Sequence, residues 1–160
     1  MDGFVCETQD RQACYVRVGT LFLAVQQAAL TDLQTRALMD GIVAEVQRNG
    51  PGTALLMFAP TASPTVEQRR IIIEEYGERT GIKSFRRVAL LSSSMVARGV
   101  LTALGWLSSG SRMRALKPSE WRRALAWLAE DATFDLELAE ARFRALLTHC
   151  GCDDPAPHPR

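Results

Sequence analysis

The chain has 160 residues, of which 47% are hydrophobic and 23% charged, a composition typical of one globular domain with a sizeable core. Charged or hydroxyl residues interrupt its apolar stretches well before membrane-spanning length, which excludes a transmembrane helix. With a formal net charge of +1, we do not expect nucleic acid as a partner.

The chain starts Met-Asp-Gly-Phe, without the basic and then apolar sequence of a secretory signal. Its cysteines lie only near the two ends, whereas a disulfide framework would place them through the interior of the sequence. We therefore expect a reducing, cytoplasmic location. The four cysteines are Cys6, Cys14, Cys150 and Cys152.

Basic residues are concentrated in one stretch. Residues 79–123 hold ten Arg or Lys and a single acid, Glu120, whereas the segments on either side each carry a net charge of −4. Two interpretations are open: folding pairs the acidic and basic segments, or the stretch forms a basic face for an acidic protein, a phosphate group or a lipid surface. We favour the first, because arginines on helices are commonly just solvated.

The N-terminal third begins with polar residues 1–13, which predict a flexible arm. Residues 14–18 alternate like a strand, Gly19 and Thr20 suit a two-residue hairpin turn, and residues 21–27 form the returning strand.

A capping box, Thr31 with Gln34, opens the first helix, and residues 49–52 end it. The continuous apolar run at residues 53–59 predicts a strand covered on both faces. The buried line of the helix is predicted at Leu38, Ile42 and Val46.

A second capping box, Thr65 with Gln68, opens the next helix, which Gly81 ends. Residues 88–91 form another buried strand. We expect Ile72, Ile73 and Tyr76 to face inward.

The third helix is capped within the run Ser92–Ser94 and ends in a turn at residues 108–110. Residues 112–116 alternate like a more exposed strand. Ser119 is expected to cap a helix that carries Trp121, Leu125 and Leu128 on one side, and residues 134–148 form a last helix.

The order β-β-α-β-α-β-α-β-α-α predicts an α/β fold with a mixed sheet of about five strands and about five helices, antiparallel at one edge hairpin and parallel beyond it. The main domain is expected at residues 14–130, an additional C-terminal helix at 131–149 and a disordered tail at 150–160.

The turns that follow the internal strands contain hydroxyl residues and prolines, but no carboxylate, histidine, cysteine or glycine-rich phosphate loop. A serine nucleophile needs a nearby base, and the two histidines, His149 and His158, lie away from the sheet edge. We therefore expect no enzyme activity and no cofactor. Cys150 and Cys152 with His149 are spaced too tightly for a typical zinc site, so no metal is expected.

Helix capping accounts for most of these hydroxyls. A run of three serines exceeds what capping needs, and a helix N-terminus binds anions through its free amides. The group Ser92, Ser93, Ser94 and Arg98 is therefore a candidate anion site.

Trp121 and Trp127 fall on different sides of their helix, so we expect one of them at a surface, and Trp106 in the core or at its boundary. The last helix carries a narrow apolar line, for which docking on the domain is favoured and homodimerisation is the alternative. This line is Leu136, Ala139, Phe143 and Leu146.

Four segments, predicted as strand, helix, strand and helix, follow one another in an order typical of one known family. They are Arg-Val-Ala-Leu-Leu-Ser at 87–92, Met-Val-Ala-Arg-Gly-Val at 95–100, Arg-Met-Arg-Ala-Leu at 112–116 and Ala-Leu-Ala-Trp-Leu at 124–128. Over residues 14–130 the chain resembles the STAS family, named for sulfate transporters and anti-sigma factor antagonists. It is most similar to the divergent branch that includes sporulation antagonists and Sec14-type lipid-binding domains.

The resemblance implies a bacterial, non-enzymatic signalling module that docks onto a protein partner and is switched by phosphorylation at the start of the second helix. The corresponding residues are Thr61, Ser63 and Thr65, where Pro-Thr-Ala-Ser-Pro-Thr replaces the family's Asp-Ser-Ser/Thr-Gly signature. The alternative that it implies is a binder of lipid or another anionic small molecule, which uses the basic stretch 86–123 for peripheral membrane contact.

Overall fold

The computed structural model describes residues 5–6, 13–49, 53–77, 85–107 and 112–156. They form a six-stranded mixed sheet whose strands stand side by side in chain order. The first two strand pairs are antiparallel and the other three are parallel, which confirms the predicted α/β fold with an antiparallel edge hairpin. The strands are β1 (Val5–Cys6), β2 (Ala13–Val18), β3 (Leu21–Gln26), β4 (Ala54–Phe58), β5 (Arg87–Leu91) and β6 (Arg112–Leu116).

Helices cover both faces of the sheet. Since parallel strands in consecutive order joined by right-handed crossovers put every crossover on one side, the three crossover helices share one face. We call this side the α1–α3 face; it is covered by α1 (Asp32–Asn49), α2 (Val66–Arg70, continuing as a π-helical turn, Ile71–Tyr76) and α3 (Met95–Leu107). The opposite side, the α4–α5 face, is covered by α4 (Trp121–Ala129) and α5 (Leu136–His149).

Strand β4 explains the continuous apolar runs in the sequence. Leu56 and Phe58 pack on the α4–α5 face, whereas Leu55 packs on the α1–α3 face. Successive side chains of a strand point to opposite faces, so a strand between two helical layers needs apolar residues at every position. Strand β6, at the sheet edge, is more exposed, as its alternation predicted.

The N-terminal hairpin turns at Gly19, whose φ of +56° favours glycine. A Cβ atom at this position would meet the Thr133 carbonyl oxygen at 3.1 Å, so the turn also packs closely on the segment before α5. Before the hairpin, in the segment expected as a flexible arm, Val5–Cys6 pairs with β2.

Both predicted capping boxes are confirmed. The hydroxyl oxygens of Thr31 and Thr65 accept from the backbone N–H groups of Gln34 and Gln68, at 3.2 and 3.1 Å. The glutamine side chains accept in return from the backbone N–H groups of the two threonines, at 2.9 and 3.1 Å.

The second crossover helix changes its period at Ile71, and this corrects the predicted inward face. Ile71 and Tyr76 are buried, whereas Ile72 and Ile73 are only partly so. In a π turn each N–H bonds to the carbonyl five residues back, which widens the turn and shifts the buried line. The Tyr76 hydroxyl donates to Asp40 on α1 at 2.9 Å. The predicted end at Gly81 lies outside the described residues.

The start of α4 also differs from the expectation. A 3₁₀ turn, Pro118–Glu120, precedes the helix, and Ser119 is exposed within it. The Glu120 carboxylate accepts from the backbone N–H of Lys117 at 3.0 Å across this turn, and the first turn of α4 has no side-chain cap, so the cap expected from Ser119 is wrong. Pro118 fits the first position of such a turn because its missing N–H would have had no partner there.

The tail expected to be disordered is ordered through Ala156. After Gly151, which ends α5 with a φ of +70°, the Asp154 carboxylate accepts from the Trp121 indole N–H and from the backbone N–H of Ala156, both at 2.9 Å. Ala156 itself is buried. Residues 157–160 lie outside the described part.

Two expectations about apolar surface are wrong. Trp121 and Trp127 are both buried, whereas Trp106, expected in the core or at its boundary, is 84% exposed. The favoured docking of the α5 apolar line on the domain is confirmed, and the alternative, homodimerisation through this line, is not: Ala139, Phe143 and Leu146 are fully buried and Leu136 packs beside them. Over the part of the chain that the structure describes, no helix combines the length and apolarity needed to cross a membrane.

Candidate ligand-binding site

The turn between β4 and α2 carries the three predicted modification sites. Thr61, Ser63 and Thr65 are all exposed. The Thr65 hydroxyl is occupied as the helix cap, and the Thr61 hydroxyl donates to the Gln27 carbonyl at 3.5 Å. The turn thus presents these hydroxyls at the carboxyl edge of the sheet; their phosphorylation stays a prediction.

The serine run before α3 is a helix start built from its own groups. The buried Ser92 hydroxyl oxygen accepts from the Ser94 N–H at 3.1 Å, and the Ser94 hydroxyl oxygen accepts from the Ala97 N–H at 3.2 Å. The Arg98 guanidinium folds back and donates through Nε to the Ser92 carbonyl at 3.2 Å. The groups proposed to hold an anion are therefore partly used within the protein, as capping alone would use them.

The basic stretch pairs with the acidic C-terminal segment. Arg87, which is 4% exposed on the α4–α5 face, contacts carboxylate oxygens of Glu130 at 2.8 Å and Asp131 at 2.6 Å, and its guanidinium lies 4.8 Å from the Trp127 ring centroid. The hydrogen bond to Glu130 raises the pKa of Arg87 further above its usual range. Three arginines of the stretch thus pair with the acidic C-terminal segment among the described residues, in agreement with the favoured interpretation: Arg87, Arg112 with Asp131, and Arg122 with Glu140. Arg123 pairs with Glu120 inside the stretch.

A cavity of about 130 Å³ lies under the α1–α3 face, between strands β4–β6 and helices α1–α3. Every side chain that lines it is uncharged, and most are aliphatic. Alanines supply part of the wall where larger residues would fill the space. The buried ones are Ala59, Ala62 and Ala97, and Ala29 is exposed. We call this space the α1–α3 cavity.

The α1–α3 cavity opens at the carboxyl edge of the sheet. Its exposed lining residues are Ala29, in the turn after β3, and Ser63, in the turn after β4. Buried residues such as Phe85, Val88 and Leu104 line the part nearer the opposite edge. The opening therefore lies at the 60–65 turn, which carries the three predicted modification sites.

The polar side chains of the wall, apart from Ser63 at the mouth, are bonded to the protein. Gln26 donates to the Ala28 carbonyl at 3.2 Å. Gln68, buried, accepts from the Thr65 N–H through Oε1 and donates to the Leu30 carbonyl through Nε2. Thr35 donates to the Thr31 carbonyl at 2.9 Å. Because these groups are already satisfied, the cavity interior presents an apolar surface to an occupant.

Large apolar side chains project into solvent around the same edge. Leu33, Val66 and Met95 are 76%, 74% and 84% exposed, and each stands in the first turn of its helix. Because parallel crossovers bring these first turns to the carboxyl ends of the strands, the three side chains surround the edge at which the cavity opens.

The cysteines form no metal centre among the described residues, where no group of three His, Cys, Asp or Glu side chains is placed to hold an ion. Cys150 and Cys152 are not disulfide-bonded, and burial, with a contribution from Asp153, raises the pKa of Cys152. Cys14 is disulfide-bonded. Such bonds persist mainly in oxidising compartments, so the cytoplasmic location loses the support that the cysteine positions lent it and stays a prediction.

Comparison of the chain with protein-family models, curated proteins and solved structures gave no match. The resemblance to the STAS family therefore stays a prediction, and the case for function rests on the geometry of the carboxyl edge.

Proposed function

We propose that this protein is a non-enzymatic binding module that holds a small apolar ligand in the α1–α3 cavity. The observation that carries the proposal is the cavity itself, about 130 Å³ with uncharged walls. An engineered core cavity of about 150 Å³ with similar walls stays dry and binds benzene. The scale thus fits one aromatic ring or a short aliphatic chain.

The identity of the wall residues supports a functional role. Ala59, Ala62 and Ala97 border the cavity at positions where larger apolar residues would fill part of it. A ligand that binds only the folded protein would stabilise it, by an amount set by its concentration and dissociation constant, without any change in sequence.

This proposal refines the lipid-binding alternative suggested by the resemblance. The apolar cavity, rather than a basic face, is the feature that fits a ligand, because Arg87, Arg112 and Arg122 are paired with acidic residues. The ligand class that follows is a hydrophobic molecule or group, held without an ion pair.

Benzene is a suitable first probe, with thermal unfolding and NMR titration as readouts. We expect saturable stabilisation of the wild type and a loss of at least about tenfold in affinity for Ala97→Leu, which fills the cavity. The matched control is Ala126→Leu, an exposed alanine on α4.

Ala62→Val is a second, smaller filling variant that is expected to weaken benzene binding in the same direction. Absence of saturable binding to the wild type, or equal binding by all the folded variants, would remove the proposal.

A second function is favoured by the exposed residues Leu33, Val66 and Met95. They give the same edge an apolar rim beside the hydroxyls of the 60–65 turn, as a module that docks onto a regulatory protein partner would need. Capture of one defined partner by the wild type, lost on changing the three to Gln and altered by Ser63→Asp, would support it. Capture that none of these changes affects would count against this edge.

A further inference from the structure

We infer that a ligand in the α1–α3 cavity lies with its apolar end toward Phe85 and Leu104 and its polar end at the Ser63 hydroxyl. This inference rests on the proposed function and adds an orientation and a ligand class. The class is a short apolar chain or ring that carries one polar head group, with the head held in solvent at the carboxyl edge.

The first argument is the gradient of polarity along the wall. Phe85, Val88 and Leu104, away from the mouth, are buried and apolar, whereas Ser63, at the mouth, is polar and exposed. A polar group moved from water into an apolar site without a hydrogen bond is strongly disfavoured. A molecule with one polar end therefore enters tail first.

The second argument is that the interior polar groups already have partners. Gln68 bonds to Thr65 and Leu30, and Thr35 bonds to the Thr31 carbonyl. A head group placed in the interior would have to break these bonds, whereas at Ser63 it would remain in water beside a hydroxyl.

The third argument concerns charge at the mouth. The turn at residues 60–65 carries no charged side chain, and the nearby Glu67 is paired with Arg70 at 2.6 Å. The 60–65 turn itself therefore gives no preference for a cationic over an anionic head. A charge introduced at Ser63 would create such a preference, because it would lie beside the head.

The test uses three probes of equal chain length, 1-hexanol, hexylamine and hexanoate, and the variants Ser63→Asp and Ser63→Lys. Dissociation constants are measured by NMR titration at pH 7 and low salt. For Ser63→Asp we expect hexylamine to bind about fivefold more tightly and hexanoate about fivefold more weakly, with the reverse for Ser63→Lys. Both effects should shrink as salt is added, and 1-hexanol should change by less than about twofold.

Thr61→Asp and Thr61→Lys are the matched controls, because Thr61 is exposed in the same turn but does not line the cavity. Opposite shifts at Ser63 that clearly exceed those at Thr61 support the orientation. If 1-hexanol still binds, equal shifts in affinity at Ser63 and Thr61, or no shift at either, would overturn the orientation. Failure of all three probes to bind the wild type would overturn the proposed function as well.

Discussion

The two faces of the sheet are built in opposite ways from the same strands. On the α4–α5 face, Phe143 is fully buried between Trp121 and Phe58, with ring centroids 5.0 and 5.6 Å away. On the α1–α3 face, aliphatic residues and alanines surround a cavity of about 130 Å³. One face therefore holds a buried aromatic cluster, and the other leaves space.

The α4–α5 face also gathers the polar contacts that hold remote segments. Arg87 ties β5 to the end of α4, and Asp154 ties the C-terminal segment to Trp121. This division teaches that stability and binding need not compete for the same residues when a sheet has two covered faces. Substitutions on the two faces should therefore differ in their effect on stability.

The largest effect is expected for Phe143→Ala, which should lower the free energy of unfolding by about 3–5 kcal/mol, because the aromatic cluster cannot collapse into the gap. Leu101→Ala, at the cavity wall, should cost nearer 2 kcal/mol, since Leu101 already borders empty space. Chemical denaturation of both variants measures the difference. Equal losses would contradict the contrast between the faces.

Arg87→Met should lower the free energy of unfolding by about 2–3 kcal/mol, because it removes the buried guanidinium and its hydrogen bonds to the carboxylates of Glu130 and Asp131. Arg87→Lys should recover little, since an ammonium group cannot reproduce the forked contacts. Arg112→Met, an exposed arginine 3.5 Å from the same Asp131, is the control and should cost under about 1 kcal/mol. The prediction fails if both Met variants unfold at the same denaturant concentration.

Enlarging a helical alanine should have different consequences on the two faces. Ala124→Leu, on the fully packed face, should cost about 1–3 kcal/mol through overpacking. Ala97→Leu, at the cavity wall, should stay within about 1 kcal/mol of the wild type or stabilise it. A larger loss for Ala97→Leu than for Ala124→Leu, measured by thermal unfolding, would mean that the cavity cannot accept added volume.

The smallest change in the free energy of unfolding is expected for Asp154. Partial burial raises the pKa of its carboxyl group, but the bonds from Ala156 and Trp121 and the charges of Arg122 and Arg144 outweigh it and hold the pKa below its usual value. The stabilisation is therefore complete above the unfolded-state pKa of about 3.9 and is lost as pH falls through the lower folded-state pKa.

Asp154→Asn should consequently cost about 1 kcal/mol at pH 7 and reduce the loss of stability in acid. The Trp121 indole N–H resonance, followed by NMR from pH 7 to 2, reports the contact directly. A wild-type resonance that does not move in acid would contradict the assignment.

Local signals made much of the fold predictable. The capping boxes at Thr31 and Thr65 and the turn at Gly19 depend on residues adjacent in sequence, so their patterns carry the necessary information. The ordered tail was not predictable in this way, because the Asp154–Trp121 bond joins residues 33 positions apart. No pattern of neighbouring residues predicts a hydrogen-bond partner so far away in the sequence.

The candidate site was predictable only in part. The 60–65 turn was correctly placed at the sheet edge, because strand ends and helix caps are local features. The cavity beneath it depends on how far three helices stand from the sheet, and the alanines at positions 59, 62 and 97 were its sole trace in the sequence. The exposed side chain of Trp106 was missed for a similar reason: burial depends on neighbours that the helical pattern of α3 does not specify.

The π turn at Ile71–Tyr76 makes the length of this segment as informative as its composition. A π turn holds one residue more than an α turn over about the same rotation, so deleting one isoleucine there would let the segment continue as an α-helix with the residues beyond it in nearly the same orientation. Tyr76 would stay beside Asp40, and Glu75 would stay beside Arg36. A deletion in the regular helix α1 has no extra residue to absorb it and would turn the rest of that helix by about 100°.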